Sequence, residues 1–151
     1  MTVTPFSSGP ILCIDHGTKF IGLAFSRSGQ LAQPLDVIRR RSKDEDFARI
    51  KRIISAEGIA EIVVGLPPTP PGLTGTPQAE IVKKWTRRLK KEVAPLPVFY
   101  WDEGFSSEDA EQLLAETGRA ALDRVDAHAA AIILQSCLDA IRAGQGMPER
   151  A

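Results

Sequence analysis

An apolar run that ends in an acid, Pro10 to Asp15, is followed after only three residues by a second apolar run, Lys19 to Ser26. So short a gap predicts a hairpin of two antiparallel strands. Gln30 to Arg39 can supply a third strand, although Pro34 interrupts it. Ser42 and Glu45 then have the spacing of a capping box, and Phe47, Ile50, Ile53 and Ile54 recur at helical intervals until Gly58. The β-branched run from Glu61 to Gly65 reads as a buried parallel strand. Residues 66–75 carry four prolines and two glycines and read as a stiff loop. A second helix starts at Thr76-Pro77 with the stripe Val82, Trp85, Leu89 and stops before Pro95. Val98 to Trp101 is a fifth strand, Ser106 to Thr117 a third helix, and Asp123 to Ala143 a last one. The order β-β-β-α-β-α-β-α-α predicts an α/β fold: a mixed five-stranded sheet flanked by helices.

The chain has 151 residues, enough for one domain. Residues 10–143 form that domain, and 1–9 and 144–151 read as flexible tails. The longest unbroken apolar run is six residues, Ala129 to Leu134, whereas a membrane helix needs about 20. No basic segment followed by an apolar one opens the chain, so no secretion signal is expected. Nineteen Lys and Arg balance nineteen Asp and Glu. That excludes binding nucleic acid by bulk charge but permits a local basic patch. The two cysteines, Cys13 and Cys137, lie in apolar stretches and read as buried thiols in a reducing cytoplasm. With only two histidines, a zinc site is not expected.

Three acids stand against the apolar pattern. Asp15 ends one strand, and Glu103, with Asp102 beside it, follows another. Asp126 interrupts the stripe Leu122, Asp126, Ala129, Ile133, Cys137 on the last helix. Each alone is explained by a cap or an ion pair; together they suggest a site. If strands one and five are neighbours, Asp15 and Glu103 meet at the carboxyl end of the sheet, where α/β sites gather. The last helix could then lay Asp126 beside them. Three convergent carboxylates repel unless a divalent cation neutralises them. Mg²⁺ takes carboxylate and phosphate oxygens and keeps waters. Two such ions clamp the attacking and leaving oxygens of a phosphodiester. The small residues Ala127, Ala129, Ala130 and Ala131 allow that helix a close approach, as ordinary helix packing also would.

Positive charge is concentrated locally. Residues 83–91 hold six cations in nine positions, and Arg39, Arg40, Arg41 and Lys43 form a second cluster. A solvated helix face explains the first; a track for phosphates is the functional reading. Gly17 and Thr18 follow Asp15 in a tight turn, where Gly allows a positive backbone angle and the Thr hydroxyl could contact phosphate. The Asp-x-Gly-Thr turn also occurs in actin-like ATPases and sugar kinases, whose two large domains exceed this chain's length.

The segment Ile14-Asp-His-Gly-Thr-Lys-Phe-Ile-Gly22 resembles the Asp-x-Gly-x-Lys-x-Ile-Gly signature of the YqgF/RuvX family. Val63-Val-Gly-Leu-Pro67, Asp102-Glu103 with Ser106-Ser107, and Val125-Asp126-x-x-Ala-Ala130 match later motifs in order, over about residues 10–140. That family has an RNase H-like fold, is similar to RuvC Holliday-junction resolvases, and is described as resolvases and as nucleases maturing the 5′ end of pre-16S rRNA. The resemblance implies Asp15, Glu103 and Asp126 as catalytic acids binding Mg²⁺ or Mn²⁺, with Asp102 as the alternate to Glu103. Substrate, branched DNA or precursor rRNA, would meet Thr18 and Lys19, with Lys83, Lys84, Arg87 and Arg88 as outer contacts. Resolvases act as two-fold dimers, so a homodimer is one expectation. Gly104 stands where the family often has Arg, Arg124 where Lys is common, and the proline-rich loop where relatives carry an Asn-Met-Asp-Gly-like stretch. The rival from another class is a non-catalytic nucleic-acid-binding module of the same fold.

Overall fold

The computed structural model describes residues 9–67, 77–102 and 125–151. Its elements are β1 (Ile11–His16), β2 (Phe20–Ser26), β3 (Gln33–Arg39), α1 (Lys43–Glu57), β4 (Glu61–Leu66), α2 (Pro77–Val93), β5 (Val98–Asp102), α3 (Val125–Arg142) and β6 (Glu149–Arg150). The expected helix at 106–117 lies outside the described residues. β1 and β2 form the antiparallel hairpin, and β2 pairs antiparallel with β3. Pro34 is accommodated because β3 is an edge strand, and the β2–β3 register shifts at Leu23/Ala24.

The sheet runs β3-β2-β1-β4-β5-β6, with β1 parallel to β4 and β4 parallel to β5. Two expectations are corrected here. β1 and β5 are not neighbours, because β4 lies between them. The sheet also has six strands, not five. The extra one, Glu149–Arg150, lies in the segment expected to be a loose tail, and pairs antiparallel with β5. Two polar residues carry no readable period. They are held by backbone bonds, with Ala151 N–H donating to the Val98 carbonyl at 2.9 Å, and by Arg150 lying over the Phe99 ring. Pairing there covers an edge that β5 would otherwise expose.

Alternation along the strands sorts side chains into two layers. Leu12, Ile14, Ile62, Val64 and Val98 join one core with Phe47 and Ile50 of α1 and Val82, Trp85 and Leu89 of α2. Ile11, Cys13, Ala24 and Val63 join the other with Ala130, Ile133, Leu134 and Leu138 of α3. Both cysteines are buried and neither forms a disulfide, and burial pushes the Cys137 thiol up to about 12. Ser42 caps α1, its hydroxyl accepting from Glu45 N–H at 3.1 Å, and Gly58 closes it in the left-handed conformation at φ 64°. The small face of α3 lets it lie close over β1 and β2, and Gln135 ties it to the β2–β3 connection. Its amide accepts from Ala32 N–H at 2.8 Å and donates to the Gln30 carbonyl at 3.0 Å.

At the end of β1 the chain turns tightly, and Gly17 N–H donates to the Phe20 carbonyl at 2.9 Å. Gly17 is not among the positive-φ glycines, contrary to expectation. It is required by close approach: a Cβ there would lie 2.5 Å from the Phe20 carbonyl oxygen. The Arg40 guanidinium braces the turn, donating to the Gly17 carbonyl at 3.0 Å. His16 turns into the α1/α2 core, 4.8 Å from Trp85, which stacks on Phe47 at 5.1 Å. Burial and, secondarily, the charge of Arg40 lower the His16 pKa from 6.5 to about 4.

Two outcomes are expected. Gly17→Ala should cost about 1–3 kcal/mol in urea unfolding, because backbone must move to admit the methyl; unchanged stability would refute the close-approach reading. The second concerns His16, which the unfolded chain protonates below about 6.5 but the folded chain only near 4. Its contribution is therefore intact above pH 6.5 and lost as pH falls, about 2 kcal/mol between pH 7.5 and 5. His16→Phe should flatten that part of the stability profile; an equally steep profile would assign the dependence elsewhere.

Candidate active site

The strand register fixes where the predicted residues stand. Ile14, Val64 and Tyr100 share one row across β1, β4 and β5. Asp15 is one residue further, near the carboxyl ends of three mutually parallel strands. It shares the parity of Ile11 and Cys13, which puts its half-buried side chain on the α3 side of the sheet. Asp102, exposed at the end of β5, has the parity of Val98 and Tyr100 and belongs to the α1/α2 side. Asp15 and Asp102 therefore emerge on opposite faces, with β4 between their strands.

Asp126 lies in the first turn of α3, and only its backbone is described. The stripe that it interrupts is the buried one: Ala129, Ile133 and Cys137 all face the sheet. Glu103 lies outside the described residues, as do Gly104 and Arg124. Among the described residues, no three His, Cys, Asp or Glu side chains group to hold a metal ion. Thr18 and Lys19 are exposed in the turn beyond Asp15. A cleft of about 470 Å³ opens nearby at the ends of β4 and β5, lined by Leu66, Pro67, Tyr100, Trp101, Asp102, Met147 and Glu149. Trp101 leans to the α3 side, where its indole N–H donates to the Ser136 hydroxyl at 3.4 Å.

The basic strip of α2 lies in the other layer. Lys84, Arg87, Lys90 and Lys91 are exposed and Lys83 is half-buried. With Lys43 and Arg88, the four exposed cations line a groove of about 740 Å³. Arg88 is committed to structure: it bonds Asp44 of α1 and Glu92 of its own helix, and lies over the Phe47 ring. Sequence reasoning missed Arg40 as the brace of the turn behind Asp15. It stood in an arginine run, and nothing local shows that the end of β3 returns to the β1–β2 turn. Reading His16 as a ring packed in the core would have required knowing that α2 crosses the end of β1.

The family profile described as "RuvX: Holliday junction resolvase" matches residues 9–140. A protein of Cereibacter sphaeroides named "Putative pre-16S rRNA nuclease" is 40% identical over 136 residues, covering 87% of this chain and 84% of that one. A Symbiobacterium thermophilum protein of the same name is 44% identical over 131 residues, covering 84% and 90%. Among solved structures, T. thermophilus RuvC in complex with a Holliday junction substrate superposes with a TM-score of 0.59 at 15% identity. That alignment covers 93% of this chain and 99% of RuvC, and it shows a shared RNase H-like fold. A profile match over residues 9–140, together with relatives at 40–44% identity aligned along most of their own length, places this chain in the RuvX family.

Proposed function

We propose that the chain is a divalent-metal-dependent endonuclease, acting on precursor rRNA in preference to branched DNA. The observation that carries the reading is Asp15: a half-buried carboxylate at the carboxyl end of the central strand, on the α3 side, in a chain of the RuvX family. Relatives named for pre-16S rRNA share 40–44% identity with it, whereas the likeness to RuvC speaks for the fold.

In this reading Asp15, Glu103 and Asp126 form the site. The direction of α3 supports it. Gln135 and Arg142 tie the helix at Gln30, beside the amino end of β1. Its first turn, with Asp126, therefore heads toward the other end, where Asp15 stands. Asp102 stands on the α1/α2 side of the sheet, opposite to Asp15, which leaves Glu103 as the third acid of this reading. The donor set fits Mg²⁺ or Mn²⁺: carboxylate oxygens are the hard donors that these ions prefer. Bound there, such an ion supplies charge stabilisation at the phosphodiester and an acidified water; one ion or two is open to metal titration.

The chain's own residues do the rest. The carboxylates hold the positive charge at one end of the sheet, and the braced turn keeps Asp15 in place. Thr18 and Lys19 contact the scissile strand. Lys83, Lys84 and Arg87 serve as outer contacts, while Arg88, also expected among them, is engaged by Asp44 and Glu92.

Asp15→Asn and Asp126→Asn should each lower cleavage of pre-16S leader RNA about a thousandfold or more, with folding intact by circular dichroism. Cleavage should require Mn²⁺ or Mg²⁺ and leave a four-way DNA junction uncut, by a protein that sediments as a monomer. Symmetric cutting of the junction by a dimer would favour resolution instead. Wild-type protein that binds both nucleic acids, takes up no Mn²⁺ and cuts neither would be the non-catalytic module.

A further inference from the structure

The arginine run after β3 divides in the folded chain. Arg40 turns inward: its backbone N–H donates to the Lys19 carbonyl at 2.9 Å, and its guanidinium braces the turn behind Asp15. Arg39 and Arg41 stay exposed. With Arg49 and Arg52 from the outer face of α1 they line a pocket of about 310 Å³, completed by Glu45, Asp46 and Ala48. Four arginines from two segments that are separate in sequence thus line one pocket.

Their charge is only partly compensated: four arginines share the lining with two carboxylates, Glu45 and Asp46. Asp46 is buried and already engaged: one carboxylate oxygen accepts the Arg41 N–H at 3.1 Å and the other approaches Arg40 at 3.9 Å. Arg49 approaches Asp36 at 3.7 Å, and both are exposed. Among the described residues, no carboxylate pairs with the guanidinium of Arg39, Arg41 or Arg52. Gathering like charges in one pocket is unfavourable unless an anion occupies it. Planar guanidinium forks match phosphate oxygens two at a time.

The pocket also lies close to Asp15. Arg39 pairs with Phe20 on β2, and His16 pairs with Ile21. The pocket therefore begins two strand spacings, about 10 Å, from the end of β1. A strand spans that distance within a few nucleotides.

We propose that Arg39, Arg41, Arg49 and Arg52 form a second phosphate site, which holds the backbone of the nucleic-acid strand within a few nucleotides of the bond cut beside Asp15. The proposal rests on the nuclease reading for its ligand. It gives the strand a path from Asp15 across the β1–β2 turn to the outer face of α1. On α2, by contrast, Arg88 is already neutralised by Asp44 and Glu92.

The test measures binding in an Asp15→Asn background, so that cleavage does not interfere, using anisotropy with pre-16S leader RNA at several salt concentrations. Arg41→Ala/Arg52→Ala should raise Kd roughly tenfold and lower the slope of log K against log salt by about 1.5. Arg41→Lys/Arg52→Lys should keep the slope and lose part of the affinity. Arg27→Ala, the loss of one charge at the opposite end of the sheet, should change neither. An alanine pair that binds with wild-type affinity and slope overturns the proposal, as does wild-type protein that binds no RNA. A separate arm titrates inorganic phosphate by calorimetry. Phosphate binding abolished by the alanine pair, with RNA binding untouched, would make this a free-anion site and overturn the strand path. Arginine-dependent RNA binding by a wild-type protein that cleaves nothing supports the phosphate site and refutes only the nuclease reading.

Discussion

Everything in this molecule is arranged around a strand that has no free side. β1 is hydrogen-bonded to β2 on one edge and β4 on the other, and helices cover both its faces. A strand so enclosed must be apolar at every position, and Ile11 to Ile14 are fully buried. A carboxylate is tolerable only where the enclosure ends, because burying an unpaired charge costs several kcal/mol. Asp15 stands at that exit. Its face follows from Cys13 two residues earlier, just as the packing of His16 on Trp85 follows from Ile14.

The turn after Asp15 shows how backbone and charge cooperate. Gly17 is there so that its chain can approach the Phe20 carbonyl, and Arg40 satisfies the Gly17 carbonyl from outside. Arg40 thereby links the end of β3 to the turn that follows Asp15. This bracing fixes the backbone immediately after Asp15.

Charge is segregated rather than balanced locally. Thirteen of the nineteen Lys and Arg fall within residues 39–52 and 83–91. Some join α1 to α2: Arg88 bonds Asp44, and Lys51 and Arg88 both reach Glu92. Such exposed pairs contribute less than about 1 kcal/mol each. Their larger effect is selective. They neutralise part of the α2 strip, whereas among the described residues no carboxylate pairs with the guanidinium of Arg39, Arg41 or Arg52 at the β3–α1 corner.

The elements themselves were legible because their signals are local. The hairpin, the Ser42 and Gly58 caps, the buried parallel strand and the stripe of α2 rest on period and capping within a few residues. Asp15 and Asp126 were legible as acids breaking an apolar pattern, which is a statement about burial that periodicity can make. The strand order was not legible: nothing within β1 or β5 says that β4 inserts between them, since parallel strands are placed by crossovers and not by their own residues. The sixth strand was hidden because two polar residues pairing through backbone alone leave no pattern. The sequence by itself determined which segments are strands and helices and which acids are out of place. Only the tertiary structure decided which faces Asp15 and Asp102 take and which arginines share a pocket, because those depend on register and on contacts between segments far apart in the chain.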